Sequence, residues 1–151
     1  MDPATQRFYA LPDTGGEPAV TRSFRFERGN GEWQINGLRA DSSCEDIRFQ
    51  IKENSLEHWV FDNNAAGWMH PIHVHMEEFQ ILSRNGLPPT AVDRARKDVV
   101  GLQHNETVKV FFRFRDWLGR YPMHCHNVVH EDHAMMLRWD LAEIGDTNPD
   151  P

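Results

Sequence analysis

Two short stretches of this 151-residue chain concentrate side chains that bind metals. The first is His70-Pro71-Ile72-His73-Val74-His75. The second is His124-Cys125-His126-Asn127-Val128-Val129-His130, with Met135 five residues further on. Together they hold six of the nine histidines. Cys125, a histidine five residues later and a methionine five after that offer a thiolate, an imidazole and a thioether. One remote histidine added to them makes a His₂Cys set with a weak axial Met, the ligand set of blue-copper electron-transfer sites. Soft sulfur ligands favour Cu(I) and imidazole suits Cu(II), so one such set serves both oxidation states.

Strand parity sorts the histidines. Successive side chains on a strand point to opposite faces. If residues 124–126 are extended, His124 and His126 share one face and Cys125 takes the other. His73 and His75 share a face, and His70 has the opposite parity. Two groups emerge. His70, Cys125, His130 and Met135 can form one mononuclear site. His73, His75, His124 and His126 form a separate four-imidazole patch. Cys125 lies covalently between two members of that patch, which wires the first group to the second through short backbone paths. Ordinary core or surface histidines would explain one such residue, but not six in two clusters. Structural zinc is the stronger competitor. It uses Cys and His, yet it needs no Met and ordinarily shows a paired Cys spacing.

The elements that must position these residues read as strands. Residues 21–26 and 46–52 alternate with period two, 56–61 is aromatic, 79–82 is short and apolar, 107–114 is the strongest, and 136–141 is the last. Gly29-Asn30-Gly31 and Asn85-Gly86 supply turns. No long period-3.6 pattern is present, and residues 87–97, with Pro88-Pro89 and three basic residues, form the longest loop. Many short strands at this spacing predict an all-β sandwich or barrel. Residues 1–19 read as a loose arm or linker, 20–145 as one domain and 146–151 as a tail. With 39% hydrophobic and 26% charged residues, this is one ordinary domain with a real core. The net charge of −7 and the lack of a basic run make it a poor nucleic-acid binder. Its longest apolar runs are too short for a membrane span. Two cysteines cannot build a disulfide scaffold. The start shows neither a positive n-region nor an apolar h-region of a secretory signal.

The paired motifs resemble the copper-binding motifs of the C-terminal cupredoxin domain of multicopper oxidases, the laccase-like and bilirubin-oxidase-like enzymes. The resemblance runs through most of the chain. Residues 31–37 (Gly-Glu-Trp-Gln-Ile-Asn-Gly) look like the opening of that domain, and Glu57-His58-Trp59 like the strand before the first motif. Trp68-Met69-His70 and His126 to His133 look closest to the bilirubin oxidase branch, and Lys97-Asp98-Val99 and Arg113-Phe114 fit its connecting strands. The resemblance implies a Greek-key cupredoxin sandwich. It implies that His70, Cys125, His130 and Met135 are type 1 copper ligands, His73 a type 2 ligand, and His75, His124 and His126 type 3 ligands. Glu131 resembles an acid that supplies protons during dioxygen reduction. The family takes single electrons from phenols, aryl amines, bilirubin or metal ions and reduces dioxygen to water at a trinuclear copper cluster.

The chain also departs from the family pattern. That cluster needs eight histidines, four of them from His-x-His motifs of an N-terminal domain, and this sequence supplies four. The expectation is a whole type 1 site and half a cluster, in a fragment of a longer oxidase or in a chain that works with another. Fragment is the favoured expectation, because the family domain begins almost at once. The alternative is a single-domain cupredoxin that only carries electrons, although a carrier has no use for the four-imidazole patch. Copper nitrite reductase is a third reading, disfavoured by a histidine on both sides of Cys125. A periplasmic or secreted location follows from the resemblance. Among lesser candidates, Cys44 reads as a plain thiol or a bridge to the missing domain, and Met136 as core. Trp68 and Trp117 read as packing residues, with the donor edge as a second reading for Trp68. Glu131 and Asp132 read by default as solvated acids, and His58 and His133 as structural.

Overall fold

The computed structural model describes residues 11, 13–43, 45–64 and 67–151. Cys44 lies outside them. The elements in chain order are β1 (Val20–Gly29), β2 (Glu32–Ile35), β3 (Phe49–Lys52), β4 (Leu56–Asn63), β5 (His70–Val74), β6 (Gln80–Arg84), β7 (Val99–Leu102), β8 (Thr107–Arg113), β9 (Gly119–Cys125), α1 (Val128–Asp132) and β10 (Met136–Ala142). They form two five-stranded sheets, ordered β2-β1-β4-β8-β6 and β3-β10-β9-β5-β7. From β4 to β9 the chain changes sheet at every strand. The pairs β1–β4 and β3–β10 are parallel, and the other pairs are antiparallel. This is the all-β sandwich expected from the strand spacing.

Alternation drives the layering. Along β4 each second residue is buried (Glu57, Trp59, Phe61 and Asn63), and along β10 Leu137, Trp139 and Leu141 are. The inward faces meet in an aromatic core. Trp59, fully buried, touches the rings of Phe24, Phe49, Phe61, Phe112, Phe114 and Trp139 at centroid distances of 4.6–6.3 Å. Tilted and edge-on aromatic pairs of this kind add to the area they bury. Arg22, the one buried arginine among the described residues, is held by Glu57 at 2.8 and 3.0 Å, by Asp146 at 2.8 Å and by the carbonyls of Gln50 and Asn148. It thereby ties β1 and β4 to β3 of the other sheet and to the C-terminal residues.

Several elements differ from the alternation reading. The strand expected at 46–52 covers only Phe49–Lys52, because the Ile47 amide turns back onto the Glu45 carbonyl. β2 alternates over only four residues, and β5, β7 and β9 lack a readable alternation. β5 and β9 are central strands that contain Pro71 and Pro122, residues that ordinarily argue against a central strand. The prolines are accommodated because their carbonyls still accept, Pro71 from the His126 amide at 2.6 Å and Pro122 from the His75 amide at 3.2 Å. α1 is a single turn capped by the Asn127 side chain, which accepts from the Val129 amide. Among the described residues, no helix is long and apolar enough to cross a membrane.

Candidate metal centre

β5 and β9 lie side by side, with Ile72 opposite Cys125, His73 opposite His124 and Val74 opposite Met123. That register brings the two motifs together. β5 buries His70, Ile72 and Val74 and leaves His73 on the other face, so the parity reading of the first motif describes the strand. On the core side, three donor atoms converge. Cys125 Sγ lies 3.4 Å from His70 Nδ1 and 3.5 Å from His130 Nδ1, and the two nitrogens are 3.2 Å apart. A triangle with these sides has a centre about 1.9 Å from each corner, close to the ~2.0–2.3 Å of metal–imidazole and metal–thiolate bonds. All three residues are buried. Two imidazoles and a thiol packed this closely have no stronger partner for their lone pairs than a metal ion, so the donor set fits copper.

The loop after β9 delivers two of the expected ligands. The Cys125 amide donates to the Met135 carbonyl at 3.1 Å, and the Met135 amide to the His130 carbonyl at 3.0 Å. These bonds close the loop and place Met135, fully buried, beside Cys125. Met136, expected as core, is half-buried on the opposite face of β10, where it pairs with His124.

Burial sets the protonation of this group. The Cys125 thiol is pushed up to about 11, chiefly by desolvation, despite a hydrogen bond from the Asn127 backbone. His70 is lowered to about 4 by burial and by its neighbour His130, and His130 itself is lowered by burial, with His133 and Arg28 contributing. Both imidazoles are therefore neutral near pH 7, as metal ligands must be.

The other face carries the second group. His75 Nε2 and His124 Nε2 are 3.2 Å apart, and His73 joins them in a cluster of possible ligand atoms. The His126 ring stands 5.4 Å from that of His124 and 5.8 Å from that of His73. The outer nitrogens of His73 and His124 are tied down. His73 Nδ1 donates to the Asp98 carbonyl at 2.9 Å, which leaves Nε2 as the lone-pair nitrogen. His124 Nδ1 lies 3.3 Å from the Cys125 carbonyl and 3.5 Å from a Glu131 carboxylate oxygen. Glu131, expected by default as a solvated acid, is thus only part-exposed and faces the patch. Burial lowers His75 and His124 below the usual imidazole range.

Aromatic walls around the first group were not legible as site residues. Phe26 stacks on His70, and Trp33 lies on His130 with ring centroids 3.9 Å apart. Trp68 and Trp117, expected to pack, are 49% and 79% exposed. Trp68 nevertheless presents its edge to Trp33 and His130 at the rim of the site. Trp117 has a positive φ of 67°, and its side chain lies away from the core.

A two-sheet all-β sandwich with a buried His₂Cys triangle defines a copper-binding protein of the cupredoxin type. The chain belongs to the multicopper oxidase family, whose pattern it matches over residues 16–143. It is 35% identical over 129 residues to the bilirubin oxidase of Albifimbria verrucaria, covering 83% of this chain and 23% of that protein. It is 34% identical over 125 residues to a multicopper oxidase of Staphylococcus epidermidis, covering 81% and 27%. Its fold superposes on the laccase of Pediococcus acidilactici with a TM-score of 0.81 at 25% identity, over 89% of this chain and 29% of that one. The chain therefore spans about a quarter of the length of the curated relatives it matches.

Proposed function

We propose that this chain is the part of a copper-dependent oxidase that receives electrons and passes them to dioxygen chemistry at a shared cluster. His70, Cys125, His130 and Met135 would hold type 1 copper, His73 would serve type 2 copper, and His75, His124 and His126 would serve type 3 copper. When bound, copper supplies one-electron redox chemistry that no side chain here can perform alone. Donors of this class are phenols, aryl amines, bilirubin-like pigments or reduced metal ions, with dioxygen as the acceptor. The observation that carries this reading is the joint placement of both groups. Cys125 puts its sulfur in the buried triangle, while its covalent neighbours His124 and His126 belong to the patch on the other face.

The chain's own residues support each part of that work. The buried triangle excludes water and holds its imidazoles neutral. The Asp98 carbonyl fixes which His73 nitrogen faces outward, and the Cys125 carbonyl does the same for His124. Glu131, part-exposed and 3.5 Å from His124, would move a proton between solvent and the patch. Four imidazoles make half of the eight-histidine cluster that the family resemblance implies. The remainder would come from an N-terminal cupredoxin domain or a neighbouring chain.

Copper bound per chain, measured by elemental analysis with visible spectroscopy, tests the reading. About one copper with an intense blue band is expected for this chain alone, and a ratio approaching four with dioxygen uptake once the partner is supplied. A chain that binds zinc in preference to copper, with no blue band, would sink it. A stable blue protein whose histidine patch takes up no metal even with a partner would favour the electron-carrier reading instead.

A further inference from the structure

His130 stands on a one-turn helix whose neighbours Val128, Val129, Asp132 and His133 are all exposed. A helix that short cannot by itself fix the plane of a ring. The ring is fixed from outside, by an indole of the β1–β2 hairpin. Trp33 is 5% exposed, and its ring lies against that of His130 at 3.9 Å with an interplanar angle of 30°. Its edge also meets His70, at 5.4 Å. The hairpin turn is Asn30-Gly31, with φ values of 52° and 83°. Two positive φ values in a two-residue loop make the tight turn that suits twisted strands, and Asn-Gly is its favoured sequence. The turn sets the register that puts Arg28 directly opposite Trp33. The Arg28 guanidinium then lies over the Trp33 ring, 5.1 Å from its centroid, in cation–π geometry.

We propose that Trp33 is a positioning residue of the metal centre, fixing the plane of the His130 imidazole, and that Arg28, held over the same indole, supplies a positive charge that favours the reduced metal. The inference rests on the copper reading of His70, Cys125 and His130. Reduction adds one electron to the centre, so a nearby fixed cation stabilises the reduced form over the oxidised one. Arg28 is exposed, so its influence is screened by salt. Trp33, being buried, acts through contact and is insensitive to salt.

The test uses the copper-loaded chain and four variants: Arg28→Gln, Arg28→Lys, Trp33→Phe and Trp33→Leu. The reduction potential is titrated at low and high salt by following the blue band. Separately, the His130 ring resonances are recorded by NMR in the metal-free chain, where an indole face shifts them upfield. Arg28→Gln is expected to lower the potential without moving the band, by an amount that shrinks in high salt, while Arg28→Lys stays near the parent. Trp33→Leu is expected to abolish the upfield shift and to broaden the copper spectrum, and Trp33→Phe to keep part of both. An Arg28→Gln potential equal to the parent at low salt overturns the charge assignment. A His130 ring resonance indifferent to Trp33 overturns the positioning assignment, and Trp33→Phe decides this should Trp33→Leu not fold. Parent protein that takes up copper without a blue band overturns the copper centre itself. A normal blue band with unmoved potentials and resonances overturns only this inference.

Discussion

Cys125 can serve two groups because its side chain and its backbone leave the strand in different directions. Its sulfur enters the core triangle, and its flanking imidazoles face the other side of the sheet. Cys125→Ser is expected to abolish the blue absorption, because a hydroxyl is not a soft ligand, while the fold survives. Serine buries a similar volume and can hydrogen-bond His70 or His130, so the stability loss should stay within about 3 kcal/mol. Visible spectra and chemical denaturation of the same sample check both halves, and a variant that stayed blue would remove Cys125 from the site. His73→Ala is expected to leave the blue band unchanged and to weaken only the metal uptake of the patch, seen as lost copper in the presence of the partner. Residue-scale features were partly open to reading. The spacing of His70, Cys125, His130 and Met135 and the parity of His73 and His75 are written in the motifs. The contact of Trp33 with His130 joins residues 97 positions apart, and nothing in local spacing encodes it.

At the scale of elements, turns and loops set what the strands present. Gly31 has a φ of 83° and open space around its missing side chain, so Gly31→Ala suffers backbone strain alone. The expected cost is about 1–2 kcal/mol, measured by urea denaturation, with a weakened Trp33–His130 contact as its local consequence. The 87–97 loop is held by Arg84, whose guanidinium grips Asp93 at 3.0 and 3.2 Å and Glu106 at 3.0 Å. The hydrogen bonds from Arg84 hold the Asp93 carboxyl below its usual range. Its folded pKa is therefore depressed, and the stability it contributes is present above the unfolded value of about 3.9 and is lost as pH falls through the folded value. Asp93→Asn should flatten the acid limb of the stability curve below about pH 4, and an unchanged acid limb in thermal melts would contradict it. Alternation made β1 and part of β3 legible from sequence, and aromatic or apolar runs did so for β4, β6, β8 and β10. β5 and β9 were hidden by Pro71 and Pro122, which only their sheet neighbours make tolerable.

On the scale of the whole molecule, one buried charge network joins the two sheets. Arg22 is fully buried with Glu57, Asp146 and three backbone carbonyls around it, and Trp59 donates to the same Glu57 carboxylate at 2.8 Å. Removing one partner of a buried pair strands the other charge, so Glu57→Gln is expected to cost about 3–5 kcal/mol. Denaturation of the Glu57→Gln chain measures it, and a loss under 1 kcal/mol would show that Asp146 alone satisfies Arg22. The histidine patch ends at the molecular surface with His126 exposed and His124 at 5%. Under the proposed function, its complement would come from another domain or a neighbouring chain.

By itself the sequence determined which atoms are available: a thiol, a thioether and six clustered imidazoles, which strand parity and the spacing from Cys125 divide into two groups. Alternating apolar residues also determined that the chain builds a sandwich. Only the tertiary structure decided which long-range pairs meet. The alignment of β5 with β9, the aromatic wall at His130 and the burial that keeps the imidazoles neutral all depend on strands distant in sequence. Local composition carries no information about such contacts, because each is created by the register and packing of the two sheets together.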